Sequence, residues 1–222
     1  MSTMIISCEM LKGELSAALG KAKLTLPVIW VPTEYHNDPN KLREKLQHEV
    51  DNAPPCENIL LVYGSCGLAT VGLKATTADL FIPKVEDCIE IMLSKENQKF
   101  VRKARTYFLS KGWLESSNNI LHEHERALEK YGEVRTKRIF KAMLKEYNYL
   151  MFIDTGISDS RELCSHTAMT DKIASTFDLE VIMEKNDMWL LDELITKHNS
   201  NHFIYIPKGQ EITMDHFSSV SR

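Results

Sequence analysis

Cys8, Cys66 and Cys88 supply three soft sulfur donors, 58 and 22 residues apart along the chain. Each follows a short apolar run: Met4-Ile5-Ile6, Asn58-Ile59-Leu60-Leu61-Val62-Tyr63 and Leu80-Phe81-Ile82. If these runs are parallel strands of one sheet, their carboxyl ends open onto a common crevice, the place where α/β proteins bind ligands. Three thiolates meeting there suit a [4Fe–4S] cluster with one iron left open, since cluster ligands are typically cysteine. His36 follows a fourth apolar run, Val28 to Val31, and would complete a Cys₃His set suited to zinc. The local spacing matches neither the Cys-x₂-Cys of zinc ribbons nor that of ferredoxins, so the expectation is geometric. The competing reading is three thiols that merely pack, because free cysteine often behaves as a small hydrophobe.

Other residues on or near that rim sort by position. Asp87 precedes a helical stretch and has two candidate jobs, as a helix cap or as a group that orients a ligand or carries a proton beside His36. Gly64-x-x-Gly67-x₄-Gly72 follows a strand, so backbone N–H groups at Gly64 and Gly67 could cradle an anion. It is neither a dinucleotide fingerprint nor a P-loop, and a tight turn presenting Cys66 is the preferred reading. Glu86, Asp154-Thr155-Gly156 and Lys208-Gly209 are expected on the same rim, with Tyr63 and Trp113 as core residues or a flat apolar wall. Cys56 precedes its strand and so falls on the opposite rim. Cys164 is expected on a helix, packed against the sheet. His122-Glu123-His124 lies on a charged helix where adjacent side chains diverge, which argues against a metal role.

The elements that must position these groups alternate strand and helix. A helix follows Cys8 through Met10, Leu11, Leu15 and Ala18, and Asp38-Pro39 opens a second with Leu42, Leu46 and Val50 on one face. Helical patterns are also expected after Cys66 and Cys88. Further strands are expected at Thr106 to Leu109, Tyr149 to Ile153, Leu179 to Met183 and Phe203 to Ile206. Two charged helices, broken near Tyr131-Gly132, lie between Ile120 and Tyr147. Short strands separated by helix-length segments indicate βαβ units: an α/β fold with a mostly parallel, Rossmann-like sheet flanked by helices. The 222 residues are read as one α/β domain, residues 1–222. The echo of Phe81-Ile82-Pro83-Lys84 in Tyr205-Ile206-Pro207-Lys208 suggests two lobes, 1–115 and 148–222, around a helical segment 116–147.

Composition is that of a globular protein, 43% hydrophobic and 26% charged. A net charge of −4 gives no basis for binding nucleic acid or an anionic membrane. No apolar stretch reaches the roughly 18–20 residues that span a bilayer. Met1 to Ile6 has no basic region and leads straight into a strand, so a signal peptide is not expected. Five cysteines, an odd number, are then expected to be reduced in a cytoplasmic setting, where metal binding is a more natural use than disulfides.

The order of these pieces resembles a family known as domain of unknown function 1638, found mainly in anaerobic bacteria and archaea. The resemblance rests on Ser7-Cys8 with Leu11 and Glu14, His36-Asn37 with Pro39, Tyr63-Gly64-x-Cys66-Gly67 and Ile82-Pro83-x-x-x-Asp87-Cys88-Ile89. Gly112-Trp113 and Ile153-Asp154-Thr155-Gly156 complete it. Lys84 and Glu86 depart from the Arg and His common there, which implies a different substrate if those positions touch one. The resemblance implies a metal-site protein of anaerobic one-carbon metabolism, with corrinoid methyltransferase proteins as partners and an unidentified small-molecule substrate. It names no reaction, and a family alone does not establish one.

Overall fold

The structure is a computed structural model, and it describes residues 2–116 and 119–218. In chain order the elements are β1 (Thr3–Cys8), α1 (Lys12–Ala22), β2 (Val28–Val31), α2 (Pro39–Asp51), β3 (Asn58–Val62), β4 (Asp79–Pro83) and α3 (Cys88–Leu93). They continue with β5 (Thr106–Leu109), α4 (Lys111–Glu115), α5 (Ile120–Tyr131), α6 (Glu133–Met143), β6 (Tyr149–Asp154), α7 (Ser160–Phe177) and β7 (Glu180–Lys185). The last two are α8 (Trp189–Lys197) and β8 (Phe203–Ile206). The chain divides into two compact units, residues 1–100 with 188–222, and residues 101–187.

The first unit carries a five-stranded sheet in the order β2-β1-β3-β4-β8, parallel except for β8, which runs antiparallel to β4. β3 is buried along its whole length, as expected of a central strand covered on both faces. Asp38 caps α2, accepting hydrogen bonds from the Asn40 and Lys41 N–H groups, and Pro39 supplies a first residue that needs no donor. Leu42, Leu46 and Val50 form the buried face that this spacing requires.

The chain moves from β1 to β2 on one side, then crosses to β3 on the other. Right-handed crossovers place α1 and α2 on opposite faces of the sheet. The carboxyl ends of β1 and β3 therefore lie at a switch point, the place where open α/β sheets hold ligands.

The second unit is a parallel three-stranded sheet, β5-β6-β7, with α4 to α7 around it. Its core gathers Leu109, Phe140, Leu150, Phe152 and Ile173, with Trp113 packed against it. The α5–α6 break falls at Gly132, whose φ of +73° ends the first helix.

Four expectations from sequence are corrected. The segment after Cys66 forms consecutive turns rather than a helix, because Cys66, Gly67 and Leu68 all have positive φ (46°, 65° and 70°) and no helix passes through such a run. Lys208-Gly209 lies on the opposite rim from the cysteines, because β8 is antiparallel; the Lys208 N–H donates to Asp79 Oδ1 at the amino end of β4. Asp154-Thr155-Gly156 ends β6 and so belongs to the second sheet, not to the cysteine rim. Cys164 is exposed, because the phase of α7 turns His166, Thr170 and Ile173 inward instead.

Candidate functional site

Cys8 is the last residue of β1. Ser7 pairs with Val62, so the next residues, Cys8 and Tyr63, sit side by side at the ends of adjacent strands. The chain then turns sharply. The Cys8 sulfur accepts a hydrogen bond from the Met10 N–H at 3.4 Å, which caps the 3-10 turn Glu9–Leu11 and fixes the thiol.

Cys66 is brought in by a backbone-to-backbone junction. The loop after β3 lies directly on the loop after β4, where the Ser65 N–H donates to the Val85 carbonyl at 2.9 Å and the Cys66 N–H to the Glu86 carbonyl at 2.7 Å. Gly64 makes this approach possible. A Cβ there would stand 2.6 Å from Asp87 N, 2.7 Å from the Glu86 carbonyl carbon and 2.7 Å from the Val85 carbonyl oxygen. The buried Thr70 hydroxyl donates to the Gly64 carbonyl at 3.0 Å and holds the turn from behind. Cys66 itself adopts a left-handed conformation, a strained choice for a residue with a side chain, and the junction supports it.

Asp87 and Cys88 follow at once. The Asp87 carboxylate accepts from the Ile89 and Glu90 N–H groups at 3.0 and 3.2 Å, so it does cap α3. Cys88, at the first position of that helix, is buried. His36 arrives from the 3-10 turn Thr33–Asn37 after β2, with Nε2 2.8 Å from Cys8 Sγ.

Electrostatics ties these groups together. Burial pushes the Cys8 thiol far above its ordinary value, and the sulfur of Cys88 pushes it further. Burial raises the Cys66 thiol to about 12, with Asp87 and Cys8 adding to the rise and a hydrogen bond from the Gly64 N–H opposing it. Burial lowers His36, and the nearby Asp87 carboxylate partly restores it. Tyr63 is raised by burial and by all three sulfurs, Cys8, Cys66 and Cys88. Burial thus disfavours the thiolate at Cys8 and Cys66 and the phenolate at Tyr63. A bound cation would reverse that balance, because coordinated thiols are deprotonated outright.

The donor set is not gathered for a single ion. Among the described residues, no three His, Cys, Asp or Glu side chains are gathered closely enough to hold a metal ion. Two ligands of one tetrahedral zinc, a sulfur and a nitrogen, stand about 3.5 Å apart when bond lengths are ordinary. At 2.8 Å, Cys8 and His36 make a hydrogen bond instead. A cluster distributes its thiolates over separate irons and accepts a wider spacing.

Four N–H groups next to the expected anion cradle at Gly64 and Gly67 are engaged within the chain. The Ser65, Cys66, Ala69 and Thr70 N–H groups all donate to neighbouring carbonyls. Cys56 lies before β3, at the other end of that strand. His124 packs edge-on against Phe140 and Phe177. Two residues named from sequence take other roles in the structure. Tyr63 reads as core or as a flat apolar wall, and nothing in its neighbourhood of the sequence marks it as coupled to three thiols. Gly64 reads as a turn glycine, whereas its φ is ordinary and its role is close approach.

A family model described as "Protein of unknown function (DUF1638)" matches residues 30–195, more than half of the chain. The chain belongs to the DUF1638 family. The match covers His36, Cys66, Asp87 and Cys88, while Cys8 lies before it. No curated protein matches this DUF1638 chain. Among solved structures it is similar to "the ABC domain in complex with L-Trp" from Streptococcus pneumonia, at 9% identity, over 96% of this chain and 88% of that one. The TM-score of that comparison is 0.34, and it carries no argument about function. Among the described residues no helix is long and apolar enough to cross a membrane.

Proposed function

We propose that this DUF1638 protein holds a [4Fe–4S] cluster through Cys8, Cys66 and Cys88 and uses it on a small-molecule substrate in anaerobic one-carbon metabolism. The observation that supports this reading is the electrostatic coupling of three thiols, Cys8 and Cys88 buried and Cys66 partly so, around Tyr63 at the switch point of a parallel sheet. Three cysteines leave one iron of such a cluster open, and when bound it supplies a Lewis acid. The methyl-transfer setting, with corrinoid proteins as partners, rests on the family resemblance.

The remaining work falls to the chain. His36 Nε2 meets the Cys8 sulfur, so His36 orients that ligand and carries a proton beside it. The Asp87 carboxylate is held by two N–H groups of α3 and acts on the imidazole at fixed range, favouring its protonated form. Buried walls of β1 and β3 exclude water and strengthen both effects. A Cys₃His zinc site in methyl transfer is the near variant, and it requires His36 to move away from its hydrogen bond.

The test is elemental and spectroscopic analysis of protein purified without oxygen. Iron and sulfide in a coloured protein, with visible absorbance lost in Cys66→Ala and kept in Cys164→Ser, is the expected result. A colourless protein with one equivalent of zinc transfers the site to the variant. Protein that takes up neither iron nor zinc overturns both and leaves a metal-free binding module.

A further inference from the structure

Tyr63 occupies a place that phenylalanine would fill equally well, were the site only a packed core. It is 1% exposed and directly follows β3. Its hydroxyl is buried and makes no well-aligned hydrogen bond among the described residues, although it lies near enough to the Cys8 sulfur for each to bias the other's proton. A buried hydroxyl left this way is costly, and folded proteins rarely retain one without use. Around it stand the sulfurs of Cys8, Cys66 and Cys88, each close enough to act on it electrostatically. The β1–β3 register sets the Cys8 side chain next to it on the same face of the sheet. A neutral thiol is a weak acceptor and leaves the hydroxyl unsatisfied. A thiolate is a strong one.

We propose that Tyr63 is a positioning residue for the metal group, its hydroxyl donating to the Cys8 sulfur once that sulfur is held as a thiolate. The proposal rests on the reading of Cys8, Cys66 and Cys88 as thiolate ligands. In the metal-free protein the hydroxyl meets only a poorly aligned, neutral thiol and offsets little of its burial cost; in the loaded protein it supports the ligand set, as outer-shell hydrogen bonds do for metal sites generally. The two states therefore respond to its removal with opposite signs, which a purely structural tyrosine would not do.

The experiment compares wild type with Tyr63→Phe, which keeps the ring and removes only the hydroxyl. Both proteins are reconstituted without oxygen, with iron and sulfide in one series and zinc alone in another, and then titrated with a chelator. The expected result is a metal group released about 10–100-fold more readily from Tyr63→Phe. The cluster's reduction potential is expected to fall, because a lost hydrogen bond leaves more charge on sulfur. Metal-free Tyr63→Phe is expected to melt at or above the wild-type temperature. If wild type retains the group and Tyr63→Phe retains it equally, the role of Tyr63 is refuted while the metal reading stands. Lower stability in metal-free Tyr63→Phe also refutes it, since the hydroxyl would then serve the fold. If wild type takes up neither iron nor zinc, the metal reading fails first and takes this role with it.

Discussion

Gly64→Ala isolates the junction that brings Cys66 to Asp87 and Cys88. The added Cβ meets Asp87 N, the Glu86 carbonyl carbon and the Val85 carbonyl oxygen at 2.6–2.7 Å, all backbone atoms that no rotamer change can move aside. Inserting a methyl group into a packed site costs about 1–3 kcal/mol. Separating the loops also loosens two hydrogen bonds, Ser65 N–H to Val85 and Cys66 N–H to Glu86, worth about 0.5–1.5 kcal/mol each. A loss near 3 kcal/mol corresponds to a fall of about 6–12 °C in melting temperature for a chain of this size. Gly20→Ala is the control. Gly20 lies in α1 with nothing within 4 Å of its Cβ position, so alanine there should stabilise by about 0.5–1 kcal/mol. The assays are thermal unfolding of both variants and the rate at which Cys66 and Cys88 react with a thiol reagent. Gly64→Ala should melt lower and expose both thiols, whereas Gly20→Ala should do neither. A Gly64→Ala protein that melts with wild type and shields its thiols equally would refute the junction.

Thiol reactivity in the native metal-free protein should follow exposure and burial together: Cys164 first, Cys56 next, and Cys8, Cys66 and Cys88 far behind; mass-resolved alkylation reads the order, and early labelling of Cys66 would contradict it. Stability of the metal-free protein should decline in alkali. The folded-state pKa of Cys66 lies above the ordinary 9.0, so its contribution is complete below pH 9.0 and is lost as pH rises toward about 12. The slope is up to about 1.4 kcal/mol per pH unit, and urea midpoints that stay level above pH 9.0 would count against the raised thiol. Asp87→Ala should lose about 1 kcal/mol of cap energy. Asp87→Asn should keep most of the cap yet lower the His36 pKa, because the carboxylate is what raises it; an NMR titration of His36 that fails to move would separate the two residues.

What the chain reveals in one dimension depends on whether neighbours in sequence decide it. Asp38-Pro39 announces α2 because cap and first turn are local, and the alternation of buried runs with helix-length segments is enough to locate the strand ends beside Cys8, His36, Cys66 and Cys88. The direction of β8 is not local. It is set by a return through the whole of residues 101–187 to the free edge of β4, so Lys208 ends on the far rim. Membership of β6 in a second sheet is likewise a matter of pairing partners, which no spacing within Ile153-Asp154-Thr155-Gly156 discloses. Cys164 shows a subtler failure. Its helix is plain in the sequence, but small shifts in phase decide which of several mixed-polarity residues turn inward.

The cap and the site cease to be rival explanations for Asp87 once the geometry is followed through. As a cap, its carboxylate is bound by two N–H groups and cannot swing, which is a structural gain for α3. That same restraint fixes the charge with respect to His36 and Cys66, whose proton affinities it shifts. A mobile carboxylate would average its field over solvent and contribute little. Here the short helix keeps Asp87 in place, the Gly64 junction keeps that helix against the loop of Cys66, and the β1–β3 register keeps Cys8 against Tyr63. Cys8, Cys66 and Asp87 are thus anchored by backbone hydrogen bonds or strand pairing, while His36 meets the site through the Cys8 sulfur. Groups anchored in this way keep their places before any ligand arrives, so less of a ligand's binding free energy is spent on ordering them.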